Sequence, residues 1–115
     1  MAIHYNLEKV HLQTNSDSEK LRSTIVSFVH NTPDDLKKLS KCIKNKDYES
    51  SIEVANEIKK SLDLMGMTIA YNEIEAVQNW ATSKGKRKEI TSNIETAKQL
   101  VDNAIKEIQK DFVVL

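Results

Sequence analysis

The chain has 115 residues, 39% of them apolar and 30% charged, and its 17 basic and 17 acidic side chains cancel. That length suits a single domain over residues 1–115 with one core, and the patterning is too regular for a disordered segment. Zero net charge gives no global pull toward nucleic acid, and two glycines with one proline leave little material for the tight turns of a sheet.

Residues 5–13 carry Leu7, Val10 and Leu12 at near-helical spacing, which predicts a short helix covering one end of the core. Thr14-Asn15-Ser16-Asp17 is a break, and Ser16 with Glu19 has the spacing of a capping box that starts the next helix. From Asp17 to about Asn45, Leu21, Ile25, Phe28, Leu36, Leu39 and Ile43 fall on one stripe, joined by Val29 and Thr32. Pro33 lies inside it. Thr32-Pro33-Asp34-Asp35 has the form of a helix start, yet the stripe keeps its phase across the proline, which favours one long kinked helix.

Asp47 is a good cap for a helix over 48–65, which Gly66 ends. In that helix Ile52, Ala55, Ile58, Leu62 and Met65 share an apolar face, while Asn56, Lys59, Lys60 and Asp63 share a wet one. Another helix begins at Met67 or Thr68, with Ile69, Ile74, Val77, Trp80 and Ala81 as its apolar side, and closes at Ser83-Lys84-Gly85. The last spans about 86–112. Its seam of Ile90, Ile94, Ala97, Val101, Ala104, Ile108 and Phe112 is narrow and suits bundle packing. Lys84, Lys86, Arg87 and Lys88 stand at its start, where the helix dipole disfavours cations. They read as a solvated turn, with a small anion patch as the alternative. The sum is all-α: an antiparallel up-down four-helix bundle with a short accessory N-terminal helix.

Chemistry is sparse. His4, His11 and His30 have no second ligand at metal spacing, glycine occurs only at 66 and 85, and the aromatics are scattered. No nucleophile–base motif appears, so neither an enzyme nor a metal or other cofactor is expected. No uncharged run approaches the ~20 residues of a membrane span, and residues 1–6 lack the order of a secretory signal. Cys42 stands alone and reads as an inert helical thiol. These features predict a cytoplasmic protein without membrane or nucleic-acid partners.

The stretch Ala55-Asn56-Glu57-Ile58-Lys59-Lys60-Ser61-Leu62-Asp63-Leu64-Met65-Gly66 resembles the phosphorylation motif of histidine-containing phosphotransfer (HPt) domains, roughly A-H-x-[LM]-K-[GP]-S-x-x-x-[LM]-G. Tyr5-Asn6-Leu7-Glu8-Lys9-Val10 is similar to the family's Y-[DN]-L-x-x-[LV] opening. Phe28 to Leu36 resembles its F-x-x-x-T-P-x-x-L segment, and Asn45-Lys46-Asp47-Tyr48 its G-D-[YLW] turn. The likeness covers most of residues 5–112. The family fold is a four-helix bundle with an accessory N-terminal helix.

The resemblance implies a component of a two-component phosphorelay that meets a response-regulator receiver domain or a hybrid histidine kinase, as a monomer. Asn56 stands where the family has its phospho-accepting histidine. An amide is not nucleophilic and does not titrate near neutral pH, so phosphoryl transfer through Asn56 is not expected. Whether this Asn is native or was substituted into a working member is open. Lys60 replaces a small residue of the family. The implied docking set is Asn56, Lys59, Lys60, Ser61 and Asp63, whose lysines would complement a receiver's carboxylates. The alternative is a scaffolding bundle with no relay role, interacting through apolar residues such as Val113-Val114-Leu115.

Overall fold

The structure, a computed structural model, describes residues 3–112; Val113, Val114 and Leu115 lie outside the described residues. The described residues form five α-helices: α1 (Glu8–Thr14), α2 (Ser18–Lys44), α3 (Tyr48–Leu64), α4 (Thr68–Thr82) and α5 (Thr91–Asp111). A 3-10 turn over Arg87–Glu89 precedes α5, and no strand occurs among the described residues. α3 lies against α2 and α4, α5 against α4 and α2, and α1 against α2. The result is an elongated helical bundle of 43 × 22 × 19 Å.

Period places the helices. In α2, Ile25, Phe28, Val29, Thr32, Leu36, Leu39 and Ile43 are buried; in α3, Ser51, Ala55, Ile58 and Leu62 are. The seam of α5 is Ile94, Ala97, Val101, Ala104 and Ile108. These spacings of three and four put each set on one helix face, and the sets merge into one core. α2 runs unbroken through Pro33, as the phase of its stripe predicts. The proline has no N–H to give Val29, and the hydroxyl of neighbouring Thr32, 1% exposed, has no hydrogen-bond partner among the described residues.

Local chemistry moves several boundaries. Ser16 does not cap α2: it sits at φ 58°, and Asp17 takes the role, its carboxylate accepting from the N–H of Lys20 at 3.0 Å. The accessory helix starts at Glu8, and its Leu12 is 74% exposed. Ile69 points to solvent, because the inward stripe of α4 is Ala70, Ile74, Val77 and Ala81, with Trp80. The last α-helix starts at Thr91 rather than near 86. Glu89 Oε1 accepts the N–H of Lys86 at 2.8 Å, which closes the 3-10 turn, and Ile90 at φ −120° separates it from α5. Asp47 caps α3 through the N–H of Ser50, as its position predicts.

Gly66 follows α3 with φ +65°, the left-handed conformation that glycine adopts without penalty. The segment before α1 passes directly over it: the N–H of Asn6 donates to the carbonyl of Met65 at 2.8 Å. Residues 3–5 are held to the far end of α5. Glu107 Oε1 accepts the N–H groups of Ile3 and His4, each at 2.9 Å, and the Tyr5 hydroxyl donates to Asp111 at 2.7 Å.

Candidate functional site

Asn56 lies in the middle of α3 and is exposed. Its position follows from helix phase. Ala55, Ile58 and Leu62 are fully buried, and Asn56 sits about 130° around the helix from the middle of that set. Glu53 and Glu57 are exposed beside it.

The five expected docking residues do not form one open face. Lys59, one turn beyond Asn56, leans onto α4, and its side chain is only 14% exposed. Its Nζ donates to Gln78 Oε1 at 2.8 Å, lies 3.6 Å from Glu75 Oε1 and sits 5.1 Å from the centre of the Tyr71 ring. Gln78 also donates through Nε2 to the carbonyl of Ile52 at 3.2 Å. In an α-helix that carbonyl is the acceptor of the Asn56 N–H. Gln78 therefore grips α3 at two heights, on either side of Asn56. The cation of Lys59 is held in a fixed place by a hydrogen bond, a carboxylate and an aromatic face.

Lys60 is exposed and pairs with Glu57 of its own helix at 3.3 Å. Asp63 is exposed and bonds Lys9 of α1 at 2.6 Å, tying the accessory helix to the end of α3. Ser61 is half-buried on the opposite flank. It lines a shallow hollow of about 300 Å³ with Gln13, Ser27, Phe28 and Leu64, turned toward α1 and α2. The structure thus brings together Asn56, Lys60 and Glu57 on the outer surface, with Lys59 beside them on the α4 flank. Ser61 stands apart, and Asp63 is committed to α1.

No protein-family model, curated protein or solved structure matches the chain.

Tyr71, Glu75 and Gln78 were absent from the expected set. Their spacing of four and three marks a polar stripe on α4 beside Ala70, Ile74 and Val77, and this is the signal that could have found them. None of the histidines is on α3. His30 is exposed on α2, and His11 Nδ1 lies 3.2 Å from Ser16 Oγ within α1 and its exit. Burial raises the pKa of the Cys42 thiol, and the charge of Asp47 raises it further against the opposing effect of Lys38 and Lys41. The thiolate, the reactive form, is therefore disfavoured at Cys42. Among the described residues no three His, Cys, Asp or Glu side chains gather as a metal site, and no helix is long and apolar enough to cross a membrane. What the arrangement offers is a rigid surface with a neutral amide at its centre.

Proposed function

We propose that this chain is an HPt-like protein of a two-component phosphorelay in which the acceptor position holds an amide. α2 to α5 act as the antiparallel four-helix bundle and α1 as the accessory helix. The protein works in the cytoplasm as a monomer, meets a receiver domain or a hybrid histidine kinase through the surface around Asn56, and carries no phosphoryl group itself. It would then compete with, or bridge, the phosphorylating partners.

One observation carries the reading. The motif residues have the burial pattern that an acceptor helix needs: Ala55, Ile58 and Met65 are fully buried, Gly66 turns left-handed, and Asn56 and Glu57, between Ala55 and Ile58, are both exposed. A side chain at 56 is presented to solvent with an immobilised cation one turn away. A histidine in that place would have its imidazole exposed and a cation near any phosphoryl oxygens.

A scaffolding bundle without a relay role is favoured by a different observation. Both lysines expected to meet a receiver's carboxylates already have acidic partners, Lys59 with Glu75 and Lys60 with Glu57. Docking must then exchange those pairs rather than fill bare charges.

The experiment that separates the two readings mixes the protein with isolated receiver domains, with and without an aspartyl-phosphate mimic, and follows amide shifts. The relay reading expects changes centred on Asn56, Glu57 and Lys60. Absence of binding to every receiver tested would leave the scaffold. A companion measurement gives Asn56→His a phosphorylated receiver. Label appearing on residue 56 marks a disabled relay, and no label from any receiver counts against it.

A further inference from the structure

The even charge balance of the whole chain hides a segregation. Residues 37–46 hold Lys37, Lys38, Lys41, Lys44 and Lys46 and no acid; residues 84–88 hold Lys84, Lys86, Arg87 and Lys88 and no acid. These nine are more than half of the 17 basic side chains, so the rest of the chain is net acidic.

The fold joins the two segments at one end of the bundle. Arg87 Nη1 donates to the carbonyl of Lys44 at 3.4 Å, and the Tyr48 hydroxyl donates to the carbonyl of Gly85 at 3.1 Å. Between α2 and α5 lies a hollow of about 430 Å³, rimmed by Lys44, Arg87, Lys88 and Lys98 with one carboxylate, Glu95, and floored by Ile43, Ile90 and Ile94. All nine basic residues are exposed, and among the described residues none of them makes an ion pair.

Stability explains only part of this set. Lys41 and Lys44 are in the last turn of α2, where the helix dipole favours cations. Arg87 and Lys88 precede the first turn of α5, where it disfavours them, and no acid pairs with them. A short run such as Lys84-Gly85-Lys86-Arg87-Lys88 is the pattern of a polyanion contact.

The surroundings narrow the polyanion. An acidic helix in a groove needs apolar anchors, but Ile43, Ile90 and Ile94 are only 5–7% exposed. A basic patch holds firmly to a bilayer surface when apolar side chains insert beside it. Ile3 and Ile69, which are exposed, line a hollow at the Thr68 end of α4, and the basic cluster lies past its Thr82 end, about 22 Å along the helix. Stacking of unpaired bases needs open aromatic rings, yet Trp80 is 5% exposed and its ring packs 5.2 Å from that of Tyr48. What is left is charge without apolar or aromatic contact, which suits a regular phosphate backbone.

We propose that this end of the bundle, Lys37 to Lys46 with Lys84 to Lys88, docks the phosphate backbone of duplex nucleic acid without reading its bases. The contact is independent of the surface around Asn56 and of the relay reading. About four neutralised phosphates would give a slope of about −3.6 for log affinity against log salt, so raising salt from 50 to 200 mM would weaken binding about 150-fold.

The test is fluorescence anisotropy of a labelled 20-base-pair DNA duplex titrated with the full chain at both salt concentrations. We expect binding in the ~10–100 µM range at the lower salt, equal for unrelated sequences, with that slope. Lys44→Glu/Arg87→Glu should weaken it at least about tenfold, with the helical circular dichroism unchanged, while Lys106→Glu/Lys110→Glu, equal in charge, should change it less than about threefold. Four results would overturn the proposal: no binding at 50 mM salt, equal loss from the two double variants, competition by polyglutamate as strong as by unlabelled duplex, or tighter binding to phosphatidylserine vesicles than to the duplex.

Discussion

Gly66 and Asn6 are packed so closely that a Cβ on the glycine would stand 2.7 Å from the Cβ of Asn6 and 3.1 Å from its carbonyl oxygen. The two lie sixty positions apart, in separate stretches of the resemblance, the Tyr5-Asn6-Leu7 opening and the Met65-Gly66 close. The fold makes them one joint, closed by the bond from Asn6 N–H to the Met65 carbonyl. Gly66→Ala therefore meets two costs, a left-handed φ of +65° and a clash with backbone that cannot rotate away. The expected loss is about 1–3 kcal/mol in urea unfolding, with amide shifts concentrated in residues 4–9. An unchanged midpoint would mean that the opening segment does not pack there.

Thr32 buries a hydroxyl that has no partner among the described residues, beside a proline that leaves the Val29 carbonyl short of a donor. Thr32→Val keeps the shape and removes the unsatisfied group, so it should raise stability by about 1 kcal/mol. If Thr32→Val instead loses stability, the hydroxyl has found an acceptor such as that carbonyl. Thermal unfolding of the two proteins decides it.

Most of the helical frame was legible because it rests on near neighbours in sequence. Asp47 caps α3 and Gly66 ends it through local backbone geometry, and the stripe of α2 holds its phase through Pro33. Boundaries went astray where two local signals competed. Ser16 and Asp17 both suit a cap, and Asp17 wins once Asn15 and Ser16 turn left-handed. Glu89 folds back on Lys86 and delays α5. Exposure of Asn56 followed from phase. The capture of Lys59 did not, because Tyr71, Glu75 and Gln78 sit on another helix, and only packing sets which flank of α3 they meet.

Tyr5 supplies a pH dependence. The residue is 7% exposed, and its pKa is raised above the ordinary tyrosine value first by burial, then by the hydrogen bond and charge of Asp111, with Glu107 adding to it. A raised pKa means the fold favours the neutral phenol. Its stabilisation is fully present below the unfolded pKa of about 10 and is lost as pH rises above it. The difference in unfolding free energy between the native chain and Tyr5→Phe should be constant from pH 6 to 9 and shrink by pH 11. A difference that stays flat to pH 11 would show that the Tyr5 hydroxyl is solvated in the fold.

Lys59 and Lys60 are adjacent and alike in charge, but the structure gives them different work. Lys60 is 68% exposed with one partner, a carboxylate on its own helix, and such pairs contribute about 0.3–0.5 kcal/mol. Lys59 is 14% exposed, crosses to α4, and bonds Gln78 while lying over Tyr71. Removing it leaves Gln78 Oε1 short of a donor on a half-buried seam, so Lys59→Met should cost about 1–2 kcal/mol, against under about 0.5 for Lys60→Met. The two variants also divide the surface around Asn56. If a receiver docks there, Lys60→Met alters affinity directly, because that ammonium is accessible. Lys59→Met acts by freeing Gln78 from one of its two grips on α3, so its effect on affinity should vanish in a Gln78→Ala background. A Lys59→Met effect on affinity that survives in that background would mean that Lys59 reaches the partner itself.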